Sequence, residues 1–144
     1  MDQLEAHSRK PLLRSSLWQT TPVNCPPGSP TFVNAVIALY PLAEENSWSL
    51  LTKMLAMEKD FGRRPKQVLN EPRRLDLDLI SYGDEISARP ELVLPHPRAH
   101  ERRFVLQPLN EIAPNFILPG QRRTVTQLLA ALVSKEITVR LPPV

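Results

Sequence analysis

At 144 residues, with 42% hydrophobic and 23% charged side chains, the chain has the composition of a globular protein with room for a single core. No apolar run approaches the roughly 18 residues a membrane span needs. The opening Met1-Asp2-Gln3-Leu4-Glu5 lacks the basic and apolar regions of a secretory signal, and the lone Cys25 excludes an internal disulfide and a multi-cysteine zinc site, so a cytoplasmic protein is expected. The net charge of +3 is unevenly spread: Arg63, Arg64, Lys66, Arg73 and Arg74 surround one acid, Glu71, and Arg98, Arg102 and Arg103 form a second group. Such clusters on both sides of acidic residues imply an anionic ligand that arrives with metal.

In chain order, residues 12–18 alternate loosely and read as a strand. Residues 19–30 hold Pro22, Pro26, Pro27, Gly28 and Pro30 and read as a loop. Thr31 to Tyr40 reads as a second strand, with Phe32, Asn34, Val36 and Ala38 on one face. An Asn on an otherwise apolar strand face needs a hydrogen-bond partner if buried, or else reads the polar edge of a ligand.

Between Ala43 and Phe61 there is neither Pro nor Gly. Trp48, Leu51, Leu55 and Glu58 follow helical spacing, and Leu50, Met54, Met57 and Phe61 make a second row, so an amphipathic helix is expected to end at Gly62. Residues 63–72 read as a basic loop. Leu92 to Leu94 suits a short strand, Glu101 to Ile112 a helix kinked or restarted at Pro108, Thr124 to Leu132 a final helix, and Glu136 to Leu141 an edge strand. Interleaved strands and helices without a long βαβ series predict an α+β sandwich.

The segment Arg73-Arg74-Leu75-Asp76-Leu77-Asp78-Leu79-Ile80 carries the chemistry. On a strand its leucines point one way and Asp76 and Asp78 the other, with their Cα atoms roughly 7 Å apart. Adjacent carboxylates repel, and a cation beside them relieves that. A small number of hard oxygen ligands suits Mg²⁺ that keeps waters and grips a polyphosphate, for which the nearby arginines supply charge. Asp is depleted in strands, so two in alternation point to function rather than to a decorated polar face.

The run Asn70-Glu71-Pro72-Arg73-Arg74-Leu75-Asp76-Leu77-Asp78-Leu79-Ile80 resembles the signature of the 6-hydroxymethyl-7,8-dihydropterin pyrophosphokinases. Thr20-Thr21-Pro22, Phe32-Val33-Asn34-Ala35, Gly62-Arg63, Leu94-Pro95-His96-Pro97, Arg102-Arg103-Phe104-Val105-Leu106 and Pro108-Leu109-Asn110-Glu111-Ile112-Ala113-Pro114 match in order. The resemblance implies a ferredoxin-like α+β sandwich and a single pterin pyrophosphokinase-like domain over residues 1–144. It implies pyrophosphoryl transfer from ATP to the pterin hydroxymethyl oxygen in folate biosynthesis, with release of AMP.

By the same resemblance, Asp76 and Asp78 bind two Mg²⁺ ions, with Arg63 and Arg73 as their catalytic companions. Arg63, Arg73, His96 and Arg102 contact the triphosphate, and Glu58 lies near the nucleotide. Thr21, Pro22, Phe32, Asn34 and Phe104 form the pterin pocket, the aromatic faces sandwiching the flat ring. A monomer acting on small molecules, without nucleic acid or membrane, is implied.

The chain departs from the pattern at Asn70, where a Trp is common, at Leu55, where a Gln is common, and at Pro65. These bear on adenine contacts and loop closure. It also begins near the end of the family's first helix, so the family's opening strand and Gly-Ser-Asn loop are expected to be missing here. Rival readings are another two-metal phosphoryl or nucleotidyl transferase, a ferredoxin-like RNA-binding module, and an inactive partial copy. The Gly-Phe-rich stacking motif of RNA-binding modules is absent.

Overall fold

The computed structural model describes residues 2–21, 31–62, 76–133 and 136–142. Among these residues the architecture is α+β: short antiparallel sheets with three α-helices packed on them, in keeping with a ferredoxin-like sandwich. A 3-10 turn, Asp2–His7, stands where the tail of a helix was expected.

The expected first strand holds only β1 (Leu13–Arg14) and the first residue of β2 (Trp18–Thr21), which runs on into the segment expected to be a loop because strands pair with it on both sides. The expected second strand also divides, into β3 (Phe32–Asn34) and β4 (Ile37–Ala38). Its halves serve different sheets, β4 pairing with β1 and β3 with β2. Ser15 drives the division: its N–H donates to the Val36 carbonyl and its hydroxyl accepts the Val36 N–H, both at 2.9 Å. Val36 is thereby turned onto the core cluster of Leu106, Leu109 and Val125.

Helix α1 (Ser47–Gly62) starts later than the apolar spacing suggests, because Asn46 caps it. The Asn46 side chain accepts the Ser49 N–H at 2.9 Å, and Ser49 Oγ accepts the Asn46 N–H at 2.9 Å. This reciprocal arrangement satisfies donors that a helix start leaves orphaned. The helix buries Ser47, Leu50 and Met54.

The segment 76–80 departs from expectation. Its burial alternates as predicted, with Asp76 and Asp78 exposed and Leu77 and Leu79 half-buried, but it joins no strand ladder among the described residues. Alternating side chains follow from an extended backbone alone; a strand also needs a neighbour to bond with. A turn at Gly83, whose φ of 53° favours glycine, leads to the hairpin of β5 (Ser87–Arg89) and β6 (Leu92–Leu94).

Helix α2 (Arg103–Ile112) runs through Pro108 without breaking. Proline there forfeits the bond to the Phe104 carbonyl, and its ring is fully buried in return. The helix divides two core clusters, Val105 joining Ala99 and Leu118, and Leu106 and Leu109 joining Val125. Helix α3 (Val125–Ala131) opens on a complete capping box between Thr124 and Gln127. The final strand, β7 (Ile137–Arg140), is the edge strand expected, in a three-stranded sheet of order β3-β2-β7.

Register fixes the faces of that sheet. Trp18 pairs with Asn34 and Arg140, and Thr20 with Phe32 and Thr138, so these side chains share one face. Helix α2 lies against it, with Thr138 Oγ1 3.5 Å from Gln107 Oε1.

Candidate functional site

A groove of about 610 Å³ opens beside α1. One wall is the α1 stripe Leu51, Leu55 and Glu58, spaced four and three residues apart so that all face one side. The floor is the extended segment from Asp76 to Leu79, and the far wall is Glu91 to Val93 with His96 and Pro97. Asp76, Asp78, Glu58 and His96, from three separate stretches of chain, thus share one cavity. Along 76–79 the two aspartates are exposed and the two leucines half-buried, and all four residues line the groove.

His96 is held by its own backbone, whose N–H donates to the Ile80 carbonyl at 2.7 Å. Its Nδ1 accepts the Arg98 N–H at 3.3 Å. Burial lowers the imidazole pKa below its ordinary value, Arg102 and Arg98 push the same way, and Asp78 opposes them. The ring is therefore neutral at pH 7, and with Nδ1 accepting, its proton sits on Nε2, a donor suited to a phosphate oxygen. Arg102, just ahead of α2, lays its guanidinium 5.3 Å from the centre of the Phe104 ring. That contact joins a residue expected at the triphosphate to one expected at the pterin.

The two aspartates are hard oxygen donors on an open groove, which fits Mg²⁺. No cluster of three or more His, Cys, Asp or Glu side chains able to hold a metal occurs among the described residues. Beside Asp76 and Asp78, water and phosphate oxygens would serve as ligands to such a cation, the mode Mg²⁺ favours.

The residues expected at the pterin are only partly gathered. Phe32, 57% exposed, and half-buried Asn34 lie on one face of the β3-β2-β7 sheet. Thr21 is one step past Thr20 on β2, so its side chain projects from the opposite face. Thr20 is the threonine that shares a face with Phe32; it is 2% exposed and its hydroxyl has no hydrogen-bond partner among the described residues. Phe104 is half-buried against Ala99, Val105 and Leu118. Pro22, Arg63 and Arg73 lie outside the described residues.

Two residues that sequence reasoning passed over belong with these groups. Glu91 lines the groove from the β5–β6 turn, and an isolated acid in a turn carries no sequence signal. Glu111 reaches across to β2 with both carboxylate oxygens; its signal was its place in the matched run from Pro108 to Pro114.

The chain is similar to proteins of one family over most of its length. The family model described as 7,8-dihydro-6-hydroxymethylpterin-pyrophosphokinase matches residues 1–114. A Synechocystis protein named 2-amino-4-hydroxy-6-hydroxymethyldihydropteridine pyrophosphokinase is 39% identical over 116 residues, covering 81% of this chain and 57% of its own length. Proteins of the same name from Pseudomonas aeruginosa and Haemophilus influenzae are 37% and 36% identical, over 89% and 80% of this chain and 78% and 69% of their own lengths. The chain thus spans little more than half of the Synechocystis relative. The matched stretch runs from the start of the chain through Asp76, Asp78, His96 and Arg102, and on that footing the chain belongs to the 7,8-dihydro-6-hydroxymethylpterin-pyrophosphokinase family.

Proposed function

We propose that this chain transfers the pyrophosphoryl group of ATP to the hydroxymethyl oxygen of 6-hydroxymethyl-7,8-dihydropterin, releasing AMP, as a step of folate biosynthesis. The observation that carries the reading is the shared groove of Asp76, Asp78, Glu58 and His96. In this reading residues 1–144 act as a single pterin pyrophosphokinase-like domain. It works as a cytoplasmic monomer on small molecules rather than on nucleic acid. No helix among the described residues is long and apolar enough to cross a membrane.

The apolar side chains Leu51, Leu55 and Val93 give the nucleotide base a wall that excludes water from its faces, with Glu58 at the edge. His96 donates from Nε2 to a phosphate oxygen, and Arg102 adds charge to the same tail. Arg63 and Arg73 are assigned to the triphosphate by their place in the sequence pattern alone, as Thr21 and Pro22 are to the pterin. Asp76 and Asp78 would hold two Mg²⁺ ions, which would neutralise charge on the transferred group. Phe32 and Phe104 offer ring faces to the pterin, and the Asn34 amide pairs with its donor–acceptor edge.

The pterin oxygen forms a bond to the β-phosphorus, the bond from that phosphorus to the α-phosphate oxygen breaks, and the hydroxyl proton leaves to water. None of the side chains lining the groove is required as a dedicated base, so catalysis here rests on positioning and charge. Following AMP formation from ATP with and without the pterin tests the reading. AMP release that requires the pterin supports it, and release indifferent to the pterin overturns it.

A further inference from the structure

Glu111, in the last turn of α2, binds the approach to β2 with both carboxylate oxygens. Oε1 accepts the Ser16 backbone N–H at 2.7 Å and the Trp18 indole N–H at 3.1 Å, and Oε2 accepts the Ser16 hydroxyl at 2.6 Å. Trp18 stands directly opposite Asn34 in the β2–β3 register. Directly opposed strand residues bring their side chains within about 5 Å on a shared face. The carboxylate therefore sets where the indole lies, and the indole borders the amide assigned to the pterin edge. The start of the same helix carries Phe104 and adjoins Arg102. A single carboxylate thus ties the helix bearing one pterin aromatic to the strand pair bearing Asn34 and Phe32.

We propose that Glu111 is a positioning residue for the pterin pocket: by holding Ser16 and Trp18 it keeps the Asn34 amide aligned on its ligand. The proposal rests on the pterin reading above and extends it to a residue that touches neither substrate. Losing the carboxylate releases the indole to swing against Asn34 and lets the start of β2 drift from α2. The ATP groove is built on α1 and the segments around Asp78 and His96, and Arg102, its one contribution from α2, stands at the opposite end of that helix from Glu111. The defect should therefore fall on the pterin and spare ATP.

The test uses the full chain in a Trp48→Phe background, so that Trp18 is the reporting fluorophore. Glu111→Ala is expected to raise KM for the pterin about tenfold, the loss of a charge-assisted bond, while KM for ATP stays unchanged and Trp18 emission shifts. Glu111→Gln keeps an oxygen for the Ser16 and Trp18 N–H groups, and the Ser16 hydroxyl can turn to accept from its amide, so it should restore both. Trp18→Phe removes one donor within a folded strand and should reproduce the pterin-selective rise if Glu111→Ala does not fold.

Parallel changes in both KM values, a Gln variant as impaired as Ala, or a Trp18→Phe variant with normal pterin KM would each overturn the role of Glu111. A parent chain that neither binds nor turns over the pterin would remove the enzyme reading and this proposal with it. Normal parent turnover with unmoved pterin KM in the variants would remove the role of Glu111 alone.

Discussion

The His96 N–H donates to the Ile80 carbonyl at 2.7 Å, which fastens the loop after β6 to the extended segment two residues beyond Asp78. That bond brings the imidazole and the carboxylate into one groove although eighteen positions separate them in the sequence. It also lets Asp78 act on the His96 charge, against burial and two arginines.

Substituting Asp78→Asn should lower kcat/KM by about a hundredfold or more, the scale on which electrostatic stabilisation of a transition state is lost. The side chain is exposed, so stability should move by no more than about 0.5 kcal/mol. Steady-state kinetics beside a thermal melt separate the two effects. A comparable fall in both would mean that the carboxylate is structural.

The His96 imidazole should titrate below 6.5 in the ligand-free protein. Arg102→Gln should raise that value, since a repelling cation is gone, and Asp78→Asn should lower it further. Because the folded pKa is depressed, the unfolded chain takes up the proton first. The stability His96 contributes is complete above about 6.5 and declines as pH falls toward the folded value. Imidazole NMR titrations of the parent and both variants check the order.

Much of this fold was readable from residue spacing, and the misreadings share a cause. Helix α3 and strand β6 announce themselves through apolar spacing and, for α3, through Thr124 and Gln127. The division of residues 31–40 does not, because it depends on Ser15 bonding Val36 across more than a dozen intervening residues. The Ser87-Ala88-Arg89 strand has no apolar pattern and exists through its pairing with Leu92 to Leu94. Asp76 and Asp78 were legible as a pair, since alternation is local. Their meeting with Glu58 and His96 and the turning of Thr21 away from Phe32 are set by register and tertiary contact.

The Glu45 carboxylate, 1% exposed, accepts from Lys53 Nζ at 2.7 Å and from the Ser49 hydroxyl. The bond from Lys53 and then that from Ser49 hold its pKa below 4.5 against the opposing effect of burial. A depressed folded pKa gives stability that is present above about 4.5 and lost as pH falls through the folded value. Glu45→Gln should cost about 1 kcal/mol at pH 7, modest because Lys53 is 39% exposed. It should also flatten the acid limb of a plot of Tm against pH.

Thr124→Ala should destabilise the chain by about 1 kcal/mol, since the N-cap side chain bonds the Gln127 N–H at 3.2 Å. Thr124→Ser should recover most of that in denaturant melts. A Ser variant no better than Ala would mean that the threonine methyl, rather than the cap, carries the effect.

The products formed from ATP and the pterin test the central claim most directly. Resolved by mass and phosphorus NMR, they should be AMP and the pterin diphosphate in equal amounts, and both should vanish when Asp76 and Asp78 are replaced together. ADP with a pterin monophosphate, or AMP released without any pterin product, would contradict the account.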